Sequence, residues 1–317
     1  PPTIDNLRST ASAFRLNDPA LGDPQRGGRP IGSERPFRLL YGGSPDSLPE
    51  KSRTLSVGAV LNPSAPNAPR LSIDYSMIRK VREPFALVDL FFDRDSALAR
   101  LPGVLASEGF GSSRVIRLPL TEADRALGFT GGIVSEIDGR GVNPGRSVVK
   151  VLDLNVEWRL TLGSGSLLLH GRGTWLPSLR RRGSDRDPWF QSAGFADGPL
   201  EWRANGGIAW SARGSTVALT AQYFGSYSPA YSAPQMQAFN PTILRFHAGA
   251  RIPDRLYFDL AVRHRLGRRA PGLELGLGII NLFDKSPPLT ADPQTPGYSF
   301  YGDPRRRRFH LALSSSF

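Results

Sequence analysis

The sequence contains no cysteine, which excludes disulfide bonds, iron–sulfur clusters and cysteine-ligated zinc sites. It contains no run of about eighteen apolar residues, so no transmembrane helix is predicted. Lysine is scarce, and the net charge of +12 is therefore carried almost entirely by arginine. This charge does not favour nucleic-acid binding, because the arginines are spread through alternating segments instead of gathering on one helix.

The apolar residues follow a period of two. In residues 152–162, LDLNVEWRLTL, every second residue is apolar, and the residues between them are Asp, Asn, Glu, Arg and Thr. Successive side chains of a β-strand point to opposite faces, whereas a helix would scatter these charges around its circumference. The same alternation recurs in residues 167–175, 200–211, 216–227, 256–266 and 309–317.

The connections between these segments alternate in length. Short polar turns are predicted at 62–69, 163–165, 212–215 and 267–272. Long connections rich in Gly, Pro and Arg are predicted at about 1–50, 81–147, 178–199, 228–254 and 284–306. Short periplasmic turns alternating with long outer loops are typical of an outer-membrane barrel.

The charged positions help to separate a membrane barrel from a soluble fold. Glu157, Arg159, Arg203, Asp259 and Arg263 all fall on the polar faces of predicted strands. Unpaired buried charge costs several kcal/mol per group, so these faces need water while the opposite faces need lipid or protein. A soluble antiparallel sheet can also keep one face wet, but the number of such strands and the Trp and Tyr near their ends favour an all-β, antiparallel transmembrane barrel.

Several segments carry a family resemblance. Residues 281–288 read NLFDKSPP at the end of a Gly-containing strand, and Tyr298, residues 303–305 (DPR) and a terminal strand ending in Phe317 follow. Earlier, residues 43–54 read GSPDSLPEKSRT and lead into a strand. In this order the segments resemble the C-terminal half of a TonB-dependent outer-membrane receptor. Ser44, the terminal Ser314–Ser316 and the region 81–147 depart from that pattern.

The resemblance extends over residues 1–317 and implies a partial barrel in the bacterial outer membrane. Nine strands are predicted, and an extra hairpin in 131–147 would make ten. The family's barrel has about 22 strands, so the chain is expected to be a fragment that lacks the N-terminal plug. The implied partners are outer-membrane lipid and lipopolysaccharide, the barrel assembly machinery, TonB through the missing plug segment, and an extracellular ligand such as a ferric chelate.

No arrangement of residues typical of an enzyme is present, and no cofactor or metal is predicted. None of the four histidines (His170, His247, His264 and His310) lies at metal-ligand spacing from another. Two arginine clusters in predicted outer loops are the candidates for ligand binding, namely Arg180, Arg181 and Arg182, and Arg305 and Arg306 with the two arginines that follow. They would attract an anionic ligand or contact lipopolysaccharide phosphates. Phe317 is the candidate assembly signal.

Three functions stay open from the sequence. The resemblance implies TonB-driven uptake of a scarce nutrient, with a ferric siderophore as the expected substrate. A small self-contained outer-membrane pore or structural barrel is the first alternative, and it requires nine or ten strands to close by themselves. A soluble β-sandwich that binds a ligand is the second.

Overall fold

The structure, a computed structural model, describes residues 9–14, 22–44, 47–85, 115–138, 140, 142–183, 185, 187–234, 237, 240–247, 249–267, 270, 272–290 and 297–315. Eighteen strands lie in these ranges. In chain order they are β1 Ser9–Phe14, β2 Gly22–Asp23, β3 Arg29–Pro30, β4 Phe37–Gly42, β5 Lys51–Leu61, β6 Arg70–Phe85, β7 Val115–Arg117, β8 Val134–Asp138, β9 Val142–Leu162, β10 Gly165–Arg182, β11 Phe190–Gln191, β12 Trp202–Ala212, β13 Ser215–Phe224, β14 Arg255–Arg265, β15 Leu273–Ile280, β16 Leu289–Thr290, β17 Gly297–Tyr298 and β18 Arg308–Ser315. The described helices are a 3₁₀ turn at Pro24–Arg26, α1 at Glu122–Ala126 and α2 at Asn240–His247.

Nine of these strands form one antiparallel sheet in the order β18-β15-β14-β13-β12-β10-β9-β6-β5, with β11 paired to the end of β10. The order follows the chain, as in a meander, and it confirms the nine strands predicted from the alternation. In the described residues β5 and β18 are each paired on one side only, so the sheet is open. No described helix is both long and apolar enough to cross a membrane.

Tight turns join neighbouring strands at one end of the sheet. Gly163 and Ser164 connect β9 to β10, and Arg213 and Gly214 connect β12 to β13. Both Arg213 and Gly214 have positive φ, 49° and 80°, which is the conformation of a type I′ turn. Turns of this type match the twist of the paired strands and therefore fix their register. The long connections between the strands of this sheet leave from the opposite end.

The long connections are shorter than predicted because three strands extend into them. β6 continues to Phe85, β9 begins at Val142 and β10 continues to Arg182. The prediction that residues 131–147 could add a hairpin to this sheet is wrong. β8 pairs with β4 and β7 in a separate four-stranded sheet of order β1-β4-β8-β7, and the residues that follow belong to β9.

The small sheet has a compact apolar core of its own, which contains Phe37 and Leu39 of β4 and Val134 and Ile137 of β8. β4 and β8 run parallel, and this pairing joins segments about 100 residues apart in the chain. Parts of the ranges predicted as long loops, 1–50 and 81–147, are therefore folded into regular structure.

Candidate functional site: the polar face and the long-connection end

The nine-stranded sheet has one polar and one apolar face. Directly opposed residues of an antiparallel pair share a face, so the register places Glu157 beside His170 and Asn155 beside Arg172 on the polar face. Thr174 Oγ1 donates a hydrogen bond to Asp153 Oδ1 at 2.6 Å on this face.

The charged side chains of the polar face are exposed to solvent. The side chains of Glu157 and Arg159 are 57% and 68% exposed and lie 4.0 Å apart. Arg265 and Glu274 form a second pair at 3.2 Å with the arginine 77% exposed. Exposed pairs of this kind contribute little to stability, so these charges lie on a solvent-exposed face and not in a packed core.

The opposite face is apolar and uncovered. Leu154 and Val57 are 51% and 64% exposed, and Leu311 in the last strand is 75% exposed. Because these side chains are exposed, no second sheet covers them in the part of the chain that the structure describes. An exposed apolar surface of this extent marks an interaction with lipid or protein.

Trp158, Trp175, Trp202 and Trp210 lie on the apolar face, as predicted. Trp175 and Trp202 stack with their ring centroids 5.3 Å apart, and Trp158 Nε1 donates a hydrogen bond to the carbonyl oxygen of Asn67 at 2.6 Å. The pair formed by Trp175 and Trp202 lies towards the long-connection end, while Trp158 and Trp210 lie towards the tight turns. Tryptophans near both ends of the apolar band are typical of membrane–water interfaces.

The long connections fold onto the polar face at their end of the sheet. Phe224 and Tyr257 share that face, and Tyr301 packs on Phe224 with a centroid distance of 5.7 Å. Tyr227 packs on Tyr301 and exchanges a hydrogen bond of 2.8 Å with Ser299. Burial raises the pKa of Tyr301. The connections after β13 and after β17 are therefore held together above the polar face.

A hydrogen-bond network joins the connection between β11 and β12 to the connection after β13. The Asp197 carboxylate accepts hydrogen bonds from the backbone N–H groups of Ser232 and Ala233, both at 2.8 Å, and from Ser232 Oγ at 2.9 Å. Ser192 Oγ lies 3.1 Å from Ser232 Oγ, within hydrogen-bond distance. Because every atom of this network is paired locally, we assign it to loop structure and not to ligand binding.

The motif NLFDKSPP forms a turn that ends β15. Asn281 is buried with φ of 55°, and its side-chain amide donates to the carbonyl oxygen of Lys285 at 2.7 Å and accepts from the Lys285 N–H at 3.0 Å. Its own N–H donates to Asp259 Oδ1 of β14 at 2.7 Å. The motif therefore directs the chain from the wall into the last long connection.

The first arginine cluster is divided between the two faces of the sheet. Arg180 and Arg182 are opposite Val148 and Arg146 on the face that carries the apolar band, whereas Arg181 is opposite Ser147 on the polar face. Arg182 is paired with Asp185 at 2.5 Å. Only Arg181 of this cluster is directed to the polar side.

The four arginines of the second cluster have two neighbouring carboxylates, which neutralise part of its charge. Arg305 and Arg308 both pair with Asp303 at 2.8 Å, and Arg306 pairs with Asp284 at 3.2 Å. Hydrogen bonds from Arg305 lower the pKa of Asp303 to about 2. β10 and β18 are separated by four strands of the sheet, so the wall does not bring the two clusters together. The predicted assembly signal, Phe317, lies outside the described residues.

The small sheet is fastened by ion pairs between distant parts of the chain. Arg117 contacts Asp23 at 2.6 Å, and Arg26 contacts both Glu34 and Asp124, at 2.7 and 2.9 Å. Arg26 is almost fully buried. Every one of these charges has a partner, so the network stabilises the small sheet.

Acidification is expected to loosen α1. Hydrogen bonds from the side chain and N–H of Thr121, with a further one from Arg26, lower the pKa of Asp124 to about 2. A carboxylate whose pKa falls on folding stabilises the folded state above its unfolded pKa of about 4, and this contribution disappears as the pH falls through about 2. Amide hydrogen exchange of residues 121–129, corrected for intrinsic rates, should therefore rise between pH 4 and pH 2.

Asp124→Asn should abolish this pH dependence and leave exchange high at both pH values, because the neutral amide cannot accept all three hydrogen bonds that the carboxylate accepts. Glu122→Gln is the matched control, since Glu122 lies in the same helix with an exposed side chain. If Glu122→Gln altered the pH dependence as much as Asp124→Asn, the assignment to Asp124 would be wrong.

The described residues contain no group of three or more His, Cys, Asp and Glu side chains that could hold a metal ion. His170 lies on the polar face, and His264 Nδ1 is 2.8 Å from Ser215 Oγ at the tight-turn end. The site therefore consists of a hydrated, charged wall and a set of folded connections at one end of it.

Sequence reasoning missed the aromatic contacts of Tyr301 and the basic residues on the face that carries the apolar band.

No protein-family profile matches the chain, and no curated protein matches it. Several solved structures do match the chain. The ferric enterobactin receptor PfeA of Pseudomonas aeruginosa, in its G324V mutant form, matches with a TM-score of 0.53 and 15% identity over 98% of this chain and 37% of that one. The siderophore receptor PirA of Acinetobacter baumannii matches with a TM-score of 0.55 and 13% identity over 89% of this chain and 34% of that one.

These matches confirm the predicted fold, an antiparallel sheet like the one that forms part of a receptor barrel. Both relatives are receptors and not enzymes. The chain spans about a third of their length, in agreement with the resemblance to one part of a TonB-dependent receptor barrel.

Proposed function

We propose that the chain forms part of the barrel wall of a bacterial outer-membrane receptor that takes up a scarce nutrient, a ferric chelate, by TonB-driven transport. One observation carries the proposal. A single meander of nine antiparallel strands has an uncovered apolar face, a hydrated charged face and all its long connections at one end. The likeness to receptors of ferric enterobactin and other siderophores supports a ligand of this class.

The two faces support a membrane wall over a soluble module. A β-sandwich buries the apolar faces of two sheets against each other, but the apolar face here is uncovered in the described residues. A lipid bilayer provides the missing apolar partner, and the polar face then borders a water-filled interior. Arg181 is the member of the first cluster that lies on the polar side and is the cluster's candidate for contact with an anionic chelate.

The open edges of the sheet favour a larger barrel. β5 and β18 would have to pair with each other in a small self-contained pore, and in the described residues each keeps a free edge. In a full receptor the preceding strands would pair with β5 and the first strand of the barrel with β18. Unpaired edges cannot stay in the hydrocarbon region because their backbone groups would lack partners.

The proposal is tested by uptake measurements with the full-length gene in a host that lacks its own siderophore receptors. We expect accumulation of labelled iron from at least one ferric chelate, and loss of that accumulation when tonB is deleted. The panel should include sugars, because the wall does not select the ligand. Uptake that persists without TonB would indicate a passive pore, and recovery in the aqueous fraction without detergent would indicate a soluble module.

A further inference from the structure

Three neighbouring strands extend beyond the length needed to cross a membrane. β6, β9 and β10 have 16, 21 and 18 residues, whereas a tilted transmembrane strand needs about 9–11. β12 and β13, which follow in the sheet, have 11 and 10 residues. The three long strands therefore project past the apolar band at the long-connection end.

The apolar band on these strands ends in a row formed by Tyr75, Leu152 and Trp175, which lie side by side in the register. We name these three residues the aromatic row. Aromatic residues at the edge of such a band mark the membrane–water interface. The next residues on the same face are basic. Lys150 lies one pleat, or about 7 Å, beyond Leu152 along β9, and Arg79 lies two pleats beyond Tyr75 along β6.

Arg79 has basic neighbours on both sides. Arg53 of β5 is directly opposite it, and Arg180 of β10 flanks the shared partner Val148. The side chains of Arg53, Arg79, Lys150 and Arg180 are all exposed, and we name these four residues the basic patch. They occupy the two rows of this face just beyond the aromatic row, with Lys150 in the nearer row and the three arginines in the farther one.

The basic patch keeps its positive charge. The nearby Asp185 is engaged by Arg146 and Arg182, at 2.6 and 2.5 Å. No ion pair to Arg53, Arg79, Lys150 or Arg180 occurs in the described residues. Arg180 lies 5.8 Å from the ring centroid of Trp189, which holds its guanidinium near the wall without neutralising it.

A cavity of about 420 Å³ lies within this surface. Its eleven lining residues are apolar, cationic and serine residues, and they include Met77, Arg79, Val148, Lys150, Arg180 and Trp189. A free anion needs only the cationic side chains. A lipid with an anionic headgroup also needs an apolar surface, continuous with the membrane, for its acyl chains. Met77 and Val148 provide that surface, and the aromatic row continues it into the apolar band.

We propose that the basic patch and its cavity bind the phosphorylated headgroup of an outer-leaflet glycolipid, lipid A. Its phosphates contact Arg79, Lys150 and Arg180, and its acyl chains lie along the row of Tyr75, Leu152 and Trp175. The inference rests on the proposed place of the chain in the outer membrane. It assigns Arg180 to lipid and not to transported ligand, because Arg180 lies on the outside of the wall.

The experiment uses the full-length receptor purified from outer membranes, delipidated in detergent and titrated with lipid A by native mass spectrometry. We expect bisphosphorylated lipid A to bind, dephosphorylated lipid A to bind at least ten-fold more weakly, and inorganic pyrophosphate at millimolar concentration not to displace the lipid. The triple variant Arg79→Gln/Lys150→Gln/Arg180→Gln should bind bisphosphorylated lipid A at least ten-fold more weakly than the unaltered protein.

A matched triple variant, Arg159→Gln/Arg172→Gln/Arg263→Gln, removes the same charge from the polar face and should bind the lipid normally. Heat-modifiable migration on gels establishes that each variant is folded, and the single variant Lys150→Gln replaces the triple if that one does not fold. Equal binding by the patch variant and the unaltered protein would overturn the proposal, as would equal loss in the matched variant. Displacement by pyrophosphate would point to a free-phosphate site instead.

The outcome is separable from that of the proposed function. A protein that fractionates with the outer membrane but shows no phosphate-dependent lipid binding refutes the lipid site alone. Lipid binding without uptake of any chelate refutes only the transport proposal. Recovery of the receptor outside the outer membrane refutes both.

Discussion

Val156→Arg and Leu154→Arg in β9 should each lower the free energy of unfolding by about 2–4 kcal/mol, whereas Asn155→Arg between them should have little effect. The outward apolar residues of β9 run from Leu152 to Leu162, so Val156 lies near the middle of the apolar band. In the proposed membrane wall an arginine there would enter hydrocarbon, where its charge cannot be solvated. An arginine at position 155 joins Arg172 and other hydrated groups on the polar face.

The measurement is urea unfolding of the full-length protein refolded into lipid vesicles, followed by tryptophan fluorescence. A depth series sharpens the test, because the cost of arginine falls to about 0–1 kcal/mol near the membrane interface. Leu162→Arg, next to the tight turn after β9, should therefore cost less than Val156→Arg. Equal costs at positions 155 and 156 would contradict the assignment of the two faces, and with it the membrane wall.

The meander was predictable because each of its strands has a local signal. Alternating residues such as those of 152–162 identify both a strand and its two faces, and tight turns such as Arg213-Gly214 fix the register between neighbours. Sequential antiparallel pairing then leaves little freedom in topology. For these reasons the sequence predicts all nine strands of the sheet.

The small sheet was not predictable in the same way. Its pairing of β4 with β8 and its ion pair between Asp23 and Arg117 join residues about 100 positions apart. A strand of only five or six residues carries too short an alternation to be distinguished from a loop. The contacts that fold the long connections, such as Tyr301 on Phe224, are non-local for the same reason.

The division of the first arginine cluster depends on an irregularity in β10. The register shifts between Trp175 and Ser178, in a segment that contains Pro177. Strict alternation from Trp175 would place Arg181 on its face, but the bulge reverses the assignment, so Arg180 and Arg182 share that face instead. A bulge adds one unpaired residue and leaves a weak trace in sequence. The placement of Arg180 and Arg181 on opposite faces therefore could not be predicted without the structure.

Asn281→Ala should lower the free energy of unfolding of the wall by about 2–4 kcal/mol. The substitution removes two hydrogen bonds between the side chain of residue 281 and the backbone of Lys285, each worth about 0.5–1.5 kcal/mol. It also places alanine at φ of 55°, where asparagine is tolerated better than other residues with a side chain. Both costs fall at the junction where β15 ends and where the N–H of residue 281 binds Asp259 of β14.

Substitutions at two positions separate these causes in the same urea experiment. Asn281→Gly relieves the backbone cost but not the lost hydrogen bonds, so its effect should be intermediate. Asn281→Asp keeps an acceptor for the Lys285 N–H but loses the donor and sets a carboxylate beside Asp259, so it should not restore stability. Lys285→Ala is the matched control, since only the backbone of Lys285 takes part. If Lys285→Ala cost as much as Asn281→Ala, the buried amide would not be what holds the turn, and the motif would owe its form to its two prolines instead.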